Sequence, residues 1–506
     1  MRFVSESNRK WWTLGAVAFG LFMIMLDNTI VTVALPTIKR DLGLGISELE
    51  WIVTAYTLTF AAFILIGGKL ADLFGRRLMF NVGLAIFMIS SFVCGSAGDI
   101  HMLIGARAVQ GVGAALMIPS TLSIVTATFP PSQRGTAIGI WAGTAGMALA
   151  IGPLLGGILT QQLSWHWIFF VNVPVGGLAI VVSRLVITES RDTSREQGLD
   201  LLGLLGSGVS LFALTYALIE GNAKGWSSSL IVGLFVLSGV LMLAFVMLEL
   251  HQRLPMLEMS LFRIGNFVGS ILVALLVSLA MFGVFFFMSL YIQNILGYSP
   301  TRAGASFLPM TALIIFVAPF AGRFSDRIGS RWLMAAGMTL VAISLYLFSR
   351  VGLHTTYPEL LPAMIIGGIG MPMAMSPTTA AAMATVPVDK AGVGAGVLNS
   401  FRQVGGSLGI ALLGAVMASR SSSFASKAEA TYHAKVRAAT ALGIRPPTPT
   451  AQQKQTIAHE AFIHGLHSAL LVSAVIALGA VVVGATLVRK RHHEHAEEPK
   501  LTSELA

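Results

Sequence analysis

Gly68-Lys69-Leu70-Ala71-Asp72-Leu73-Phe74-Gly75-Arg76-Arg77 returns as Gly322-Arg323-Phe324-Ser325-Asp326-Arg327-Ile328-Gly329-Ser330-Arg331. Each stretch ends an apolar run. Gly, Asp, Gly and the last Arg keep the same spacing, in copies 254 positions apart (326 minus 72). Membrane proteins with two related halves commonly move something through the seam between them. The repeat predicts a transporter.

Composition agrees. Hydrophobic residues make up 55% of the 506 and charged residues 11%, where a soluble domain carries roughly a quarter charged. A helix needs about 20 apolar residues to cross a ~30 Å hydrocarbon core. Fourteen runs meet that need: 12–36, 48–69, 79–98, 102–127, 135–161, 166–187, 200–220, 228–249, 266–293, 302–322, 332–350, 358–386, 391–418 and 463–488. Unpaired backbone groups in lipid exclude open sheet, so the expected fold is an all-α membrane bundle. The first run is too long for a signal-peptide core and lacks a small-residue cleavage site, so it reads as a retained span. Cys94 is the one cysteine, which excludes an intrachain disulfide. No run matches a phosphate-binding loop, and nothing suggests ATP or a bound metal. The His492, His493 and His495 cluster reads as a frayed tail rather than a metal site.

The net charge of +10 is a matter of topology, not of nucleic acid. Sorted by alternating loops, one side holds 20 Lys and Arg and the other holds five in its short loops; six more lie in the long 419–462 loop, and Arg107 and Arg402 lie inside spans. That bias places both termini and both repeated loops in the cytoplasm. If each half has six spans, residues 1–187 form the first half and 188–265 a linker with two inserted helices. Residues 266–489 form the second half, and 490–506 a cytoplasmic tail. Spans 7 and 8, nearly free of polar residues, read as peripheral packing or lipid contact. The 419–462 loop reads as solvated and extracytoplasmic, with Pro446-Pro447-Thr448-Pro449 as a breaker. An amphipathic helix over Ser423–Leu442, docking an adaptor protein, is the alternative.

Asp27 is the one carboxylate deep within a span, and such a residue is a functional candidate by default. It lies nine residues before Pro36, about 13 Å deep at a 1.5 Å rise, and Arg107 lies about 8 Å deep from the same side. The two can therefore pair. A carboxyl both buried and paired can be a site where proton and substrate compete. A salt bridge that merely joins two helices is the plainer alternative. In the repeated loops, Gly68 and Gly322 allow close helix approach, and Gly75 and Gly329 permit tight turns. Asp72, Arg76, Arg77, Asp326 and Arg331 could form an ion-pair latch on the cytoplasmic face, against a plain topology signal. Span 5 carries Gly139, Gly143, Gly146, Gly152, Pro153, Gly156 and Gly157, a small-residue surface for rocking helices. Asn28, Gln110, Met371, Asn399, Arg402 and Gln403 are candidates for lining a substrate cavity.

These motifs resemble those of the major facilitator superfamily, specifically its fourteen-span drug:proton antiporter family of QacA/EmrB type. Leu26 to Pro36 is similar to that family's first-span signature, and Gly68 to Arg77 to the superfamily's loop motif. Arg107 to Ala115 is similar to its span-4 motif, Gly143 to Gly157 to the span-5 motif of antiporters, and Trp165 to Pro174 to a further block. Thr32 and His166 depart mildly from the family pattern, and spans 10 and 13 offer no carboxylate. The resemblance implies a major facilitator fold of two six-helix halves plus two inserted helices. It implies a non-enzymatic, monomeric, multi-pass protein of the cytoplasmic membrane. By that expectation, it exports lipophilic, cationic or neutral compounds in exchange for protons, driven by the proton gradient without a cofactor. Asp27 would carry the proton with Arg107 modulating it. A dedicated exporter of one endogenous metabolite, antibiotic or lipid is the other reading.

Overall fold

A computed structural model describes residues 6–43, 46–191, 200–252, 255, 257, 259–441 and 451–488. Among the described residues the regular structure is entirely helical. The elements are α1 (Glu6–Leu42), α2 (Ile46–Phe74), α3 (Arg76–Gly95), α4 (Ile100–Thr128), α5 (Pro131–Gln162), α6 (Trp167–Phe170), α7 (Asn172–Val186), α8 (Leu201–Lys224) and α9 (Ser229–His251). They continue with α10 (Gly265–Asn294), α11 (Pro300–Ser306), α12 (Leu308–Ile328), α13 (Ser330–Phe348), α14 (Tyr357–Thr385), α15 (Ala391–Ala441) and α16 (Ala451–Leu487). Twelve segments of the described residues are long and apolar enough to cross a membrane, and α5 and α10 add long helices of 32 and 30 residues. Local chemistry sets their ends. Asp99, Ser228 and Ser299 each accept from a backbone N–H of the helix they precede, and Thr356 with Glu359 forms a capping box on α14, as short polar side chains do at helix starts.

The helices pack around separate cores. Phe80, Phe87, Met117 and Trp141 belong to the first, and Leu26, Ile30, Trp165 and Phe169 to a smaller one at the opposite end of the same half. Tyr291, Met310, Phe348 and Leu466 belong to the core of the second half. At the end bearing the repeated loops, the first core runs on into Ala382, Met383, Val386 and Val393 of α14 and α15, so the halves are joined there. Helix α8 lies outside against α2 and α15, and α9 lies further out against α8. Val232, Val236, Val240, Leu243 and Met247 of α9 point outward, where lipid satisfies them.

Residues 419–441 continue α15 and 451–462 begin α16, where a solvated loop was expected from sequence. Helix α15 runs 51 residues, about 76 Å at 1.5 Å per residue, and α16 returns beside it. The Phe424 ring stacks on His464 at 4.3 Å, and Gly465 meets Met417 and Ser421. The Pro446–Pro449 breaker, the tail 490–506 and most of the linker lie outside the described residues.

Candidate functional site

Asp27 sits in the dry centre of the first half. Its Oδ2 accepts from Arg107 Nη1 at 2.6 Å, and its Oδ1 accepts from Gln110 Nε2 and Asn172 Nδ2, each at 3.0 Å. Arg107 also donates to Gln110 Oε1 at 2.7 Å and to the Ile52 carbonyl at 3.2 Å, and lies 4.4 Å over the Tyr56 ring. Gln110 and Asn172 both donate to Ser91 Oγ, at 2.8 and 2.9 Å. Five helices (α1, α2, α3, α4 and α7) thus contribute to one network, in which Asp27 and Arg107 are each 1% exposed. Two charges this far from water need such a shell, because the desolvation cost is repaid only when the remaining lone pairs and protons are satisfied.

Gln110, expected on a cavity wall, is fully buried in this network, where spacing of three from Arg107 puts it on the same face of α4. Asn28 is half-buried and donates to the Ile24 carbonyl and the Tyr56 hydroxyl, at 3.0 and 3.3 Å. Ser91, Asn172 and Tyr56 were not singled out from sequence. A polar Asn opening an apolar run is a signal, but its partner lies 145 positions away.

The repeated loops meet the other half rather than each other. Asp72, at the end of α2, accepts from the backbone N–H groups of Gly392 and Val393 at 2.9 and 2.8 Å, which open α15. Asp326, at the end of α12, accepts from the N–H groups of Gly135 and Thr136 at 2.9 and 3.1 Å and from the Thr136 hydroxyl at 3.2 Å, near the start of α5. Asp72 therefore satisfies orphan donors in the first turn of α15, and Asp326 bonds the second turn of α5, near that helix's positive end; each helix belongs to the opposite half. Gly68 packs against Gly392 and Gly322 against Gly135, so closely that an added Cβ would lie 2.3 and 2.0 Å from the facing carbonyl oxygen. Gly75 and Gly329, with φ of 116° and 89°, make the turns that follow, in the region that favours glycine.

The two copies differ in their arginines. Arg76 pairs with Asp72 at 2.9 Å and reaches across to the carbonyls of Val388 and Asp389. The residue four beyond Asp326 is Ser330, which bonds Ser325 instead. Arg331 corresponds to Arg77, and neither faces the carboxylate. Arg77 donates to the Ile187 carbonyl and lies beside Glu189, while Arg331 lies over the Trp332 ring. An ion-pair latch was expected in both copies. Among the described residues, the second copy has no ion pair at its carboxylate and is held by the Asp326 hydrogen bonds to α5 and the Gly322–Gly135 contact.

Helix α5 forms the other seam. Gly139, Gly143 and Gly146 lie along Ala318, Ile315 and Ile314 of α12, and Gly157 meets Thr301 of α11. Gly152 and Gly156 instead receive Thr29 and Ile30 of α1. The side chain of Pro153 lies outside what the structure describes. In the second half, Arg402 donates to the Thr379 hydroxyl, Asn399 turns back to the Ala395 carbonyl, and Met371 packs against the core. Gln403 is half-buried, one turn beyond Asn399.

A family model described as the Major Facilitator Superfamily matches residues 17–410. The chain belongs to the major facilitator superfamily. As a major facilitator protein it is a multi-pass membrane transporter and not an enzyme. It is 34% identical over 504 residues to the tetracenomycin C resistance and export protein of Streptomyces glaucescens, covering 97% of this chain and 94% of that protein. It is 39% identical to the puromycin resistance protein pur8 of Streptomyces alboniger, over 81% and 82% of the two chains. It is 36% identical to the multidrug resistance protein Stp of Mycobacterium tuberculosis, over 80% and 75%. Its fold matches that of the proton:xylose symporter XylE with a TM-score of 0.63 at 11% identity, over 96% of this chain and 97% of that one. The human organic anion transporter MFSD10 also matches at 0.63, with 13% identity, over 94% and 99%.

Proposed function

We propose that this protein is a proton-coupled antiporter that exports lipophilic, drug-like compounds across the cytoplasmic membrane by alternating access. The observation that carries the coupling is the Asp27 network: a carboxylate 1% exposed, paired to Arg107 and hydrogen-bonded to Gln110 and Asn172. A group so sealed exchanges protons only when helices of the first half shift, which ties protonation to conformation. The cargo follows from the relatives, which are named for resistance to tetracenomycin C and puromycin and for multidrug resistance.

Both termini and the repeated loops face the cytoplasm in this reading, so the structure corresponds to a state closed to the cytoplasm. Opening it separates Asp72 from α15 and Asp326 from α5, and water then caps both helix ends. The glycine seam of α5 against α12 lets the halves rock without large side chains having to clear one another. The proton gradient supplies the energy without a bound cofactor, the two inserted helices complete a fourteen-span bundle, and one chain suffices. Export of one endogenous antibiotic is the second reading, favoured by the nearly end-to-end match to the tetracenomycin C exporter.

The test uses everted vesicles holding wild type or Asp27→Asn, with a pH dye reporting proton release as lipophilic compounds are added. Release in wild type and none in the variant is expected. Equal responses would remove Asp27 as the carrier, and a response to a single scaffold would favour the dedicated exporter.

A further inference from the structure

We propose that Arg402 is a subsite for an acidic group on the exported compound: a carboxylate, or the ionised hydroxyl of a phenol or enol, on a lipophilic body. This rests on the efflux reading and names its substrate class.

Among the described residues, three charged side chains lie deep within spans: Asp27, Arg107 and Arg402. The first two neutralise each other, and both Asp27 oxygens already accept hydrogen bonds from Arg107, Gln110 and Asn172. A cationic compound therefore finds no free carboxylate among the described residues of the spans.

Arg402 is in the opposite position. It lies eleven residues from the start of α15 at Ala391, about 16 Å into the bilayer at 1.5 Å per residue, where an uncompensated charge is costly and marks a functional site. Its hydrogen-bond partner is a neutral hydroxyl, Thr379. Its Nε is buried without a hydrogen bond, and no carboxylate among the described residues forms an ion pair with it. A guanidinium presents a planar fork of donors that matches a carboxylate with two parallel hydrogen bonds. Ala274, Val277, Met375 and Thr378 line a narrow pocket with it. In this closed state the gap has no room for a water molecule; once widened, its mostly apolar wall would meet an apolar ring system, and methionine adapts to ligands of differing shape. Arg402 also rides on α15, the helix whose first N–H groups Asp72 holds. Release of that cap moves the subsite with the helix, so the same motion that opens one face can widen the pocket.

The test is equilibrium dialysis of the purified full-length protein with radiolabelled 2-anthroate, its methyl ester, and an anthracene carrying a quaternary ammonium, with oleate as competitor. The free acid should bind at least tenfold more tightly than the ester or the cation. Arg402→Gln should abolish that preference, and Arg402→Lys, which keeps the charge but not the fork, should retain part of it. The Lys variant carries the test if the Gln variant does not fold. Equal binding of acid and ester, tighter binding of the cation, or undiminished acid preference in Arg402→Gln would each overturn the subsite. Oleate binding tenfold more tightly than 2-anthroate would overturn the drug-like assignment in favour of a membrane fatty acid. Acid binding without proton counterflow in vesicles leaves the subsite standing and removes antiport. Counterflow driven equally by ester and acid does the reverse.

Discussion

Gly68 and Gly392 touch backbone to backbone across the two halves: a Cβ on either would lie 2.3 Å from the carbonyl oxygen of the other. One turn further along α2, Asp72 accepts the Gly392 N–H at 2.9 Å, so the carboxylate reaches the helix end because the glycines let the helices approach. Gly322 and Gly135 repeat the arrangement, with Asp326 bonded to the Gly135 N–H at 2.9 Å.

Gly392→Ala or Gly322→Ala should therefore open this face. At Gly322 the obstructing atoms are all backbone, and at Gly392 the nearest is backbone with the Asp72 carboxylate beside it; such overpacking costs about 1–3 kcal/mol, roughly a 5- to 150-fold shift in a two-state balance. A cysteine placed at Gln403 should be labelled several-fold faster from the loop face in either variant. Unchanged labelling would show that the glycine contact does not hold the face shut.

Asp72→Asn and Asp326→Asn should each weaken the closed state by about 0.5–2 kcal/mol, the worth of a cap with its charge at a helix start. The two carboxylates bond different helices and share no partner, so the effects should add. Spin-label distances between the ends of α2 and α15 report the outcome. A double variant no more open than either single one would mean that the two caps do not act independently.

Arg107→Leu should destabilise the fold by about 3–5 kcal/mol, because it leaves a carboxylate buried without its cation. Asn172→Leu removes one of three hydrogen bonds to Asp27 and should cost about 1–3 kcal/mol. Adding Asp27→Asn to Arg107→Leu should restore part of the loss. Thermal unfolding in detergent measures all three, and a double variant no more stable than Arg107→Leu would contradict the pairing.

Gly152→Ala should disrupt the contact between α5 and α1, since its Cβ would lie 1.8 Å from Thr29 Oγ1 and 2.6 Å from Thr29 Cβ. Thr29→Gly removes both atoms and should recover activity lost to Gly152→Ala, at a helix-propensity cost of about 1 kcal/mol. Vesicle proton release is the readout. Failure of the pair to improve on Gly152→Ala would place the fault elsewhere in α5.

Hydropathy alone determined that the chain is a helical membrane bundle, because a segment that must satisfy its own backbone in lipid has to be long, apolar and helical. The sequence also determined that Asp27 and Arg107 could meet, since depth in a span follows from counting residues. The 68–77 and 322–331 repeat marked equivalent ends of two halves. Tertiary structure decided the rest, because side-chain partners follow from which helices pack together, and sequence distance does not encode that. Asn172 reaches Asp27 from α7, Asp72 caps a helix 320 positions away, and Gln110 turns from a presumed cavity wall into the core. Arg331 does not repeat the role of Arg76, since the position four beyond Asp326, which in the first copy brings Arg76 back across the glycine turn to Asp72, holds Ser330. Arg402 shows both levels at once: its depth and the lack of a second deep carboxylate were readable from sequence, and only the packing showed that Asp27 is taken by Arg107 and that Arg402 meets Thr379.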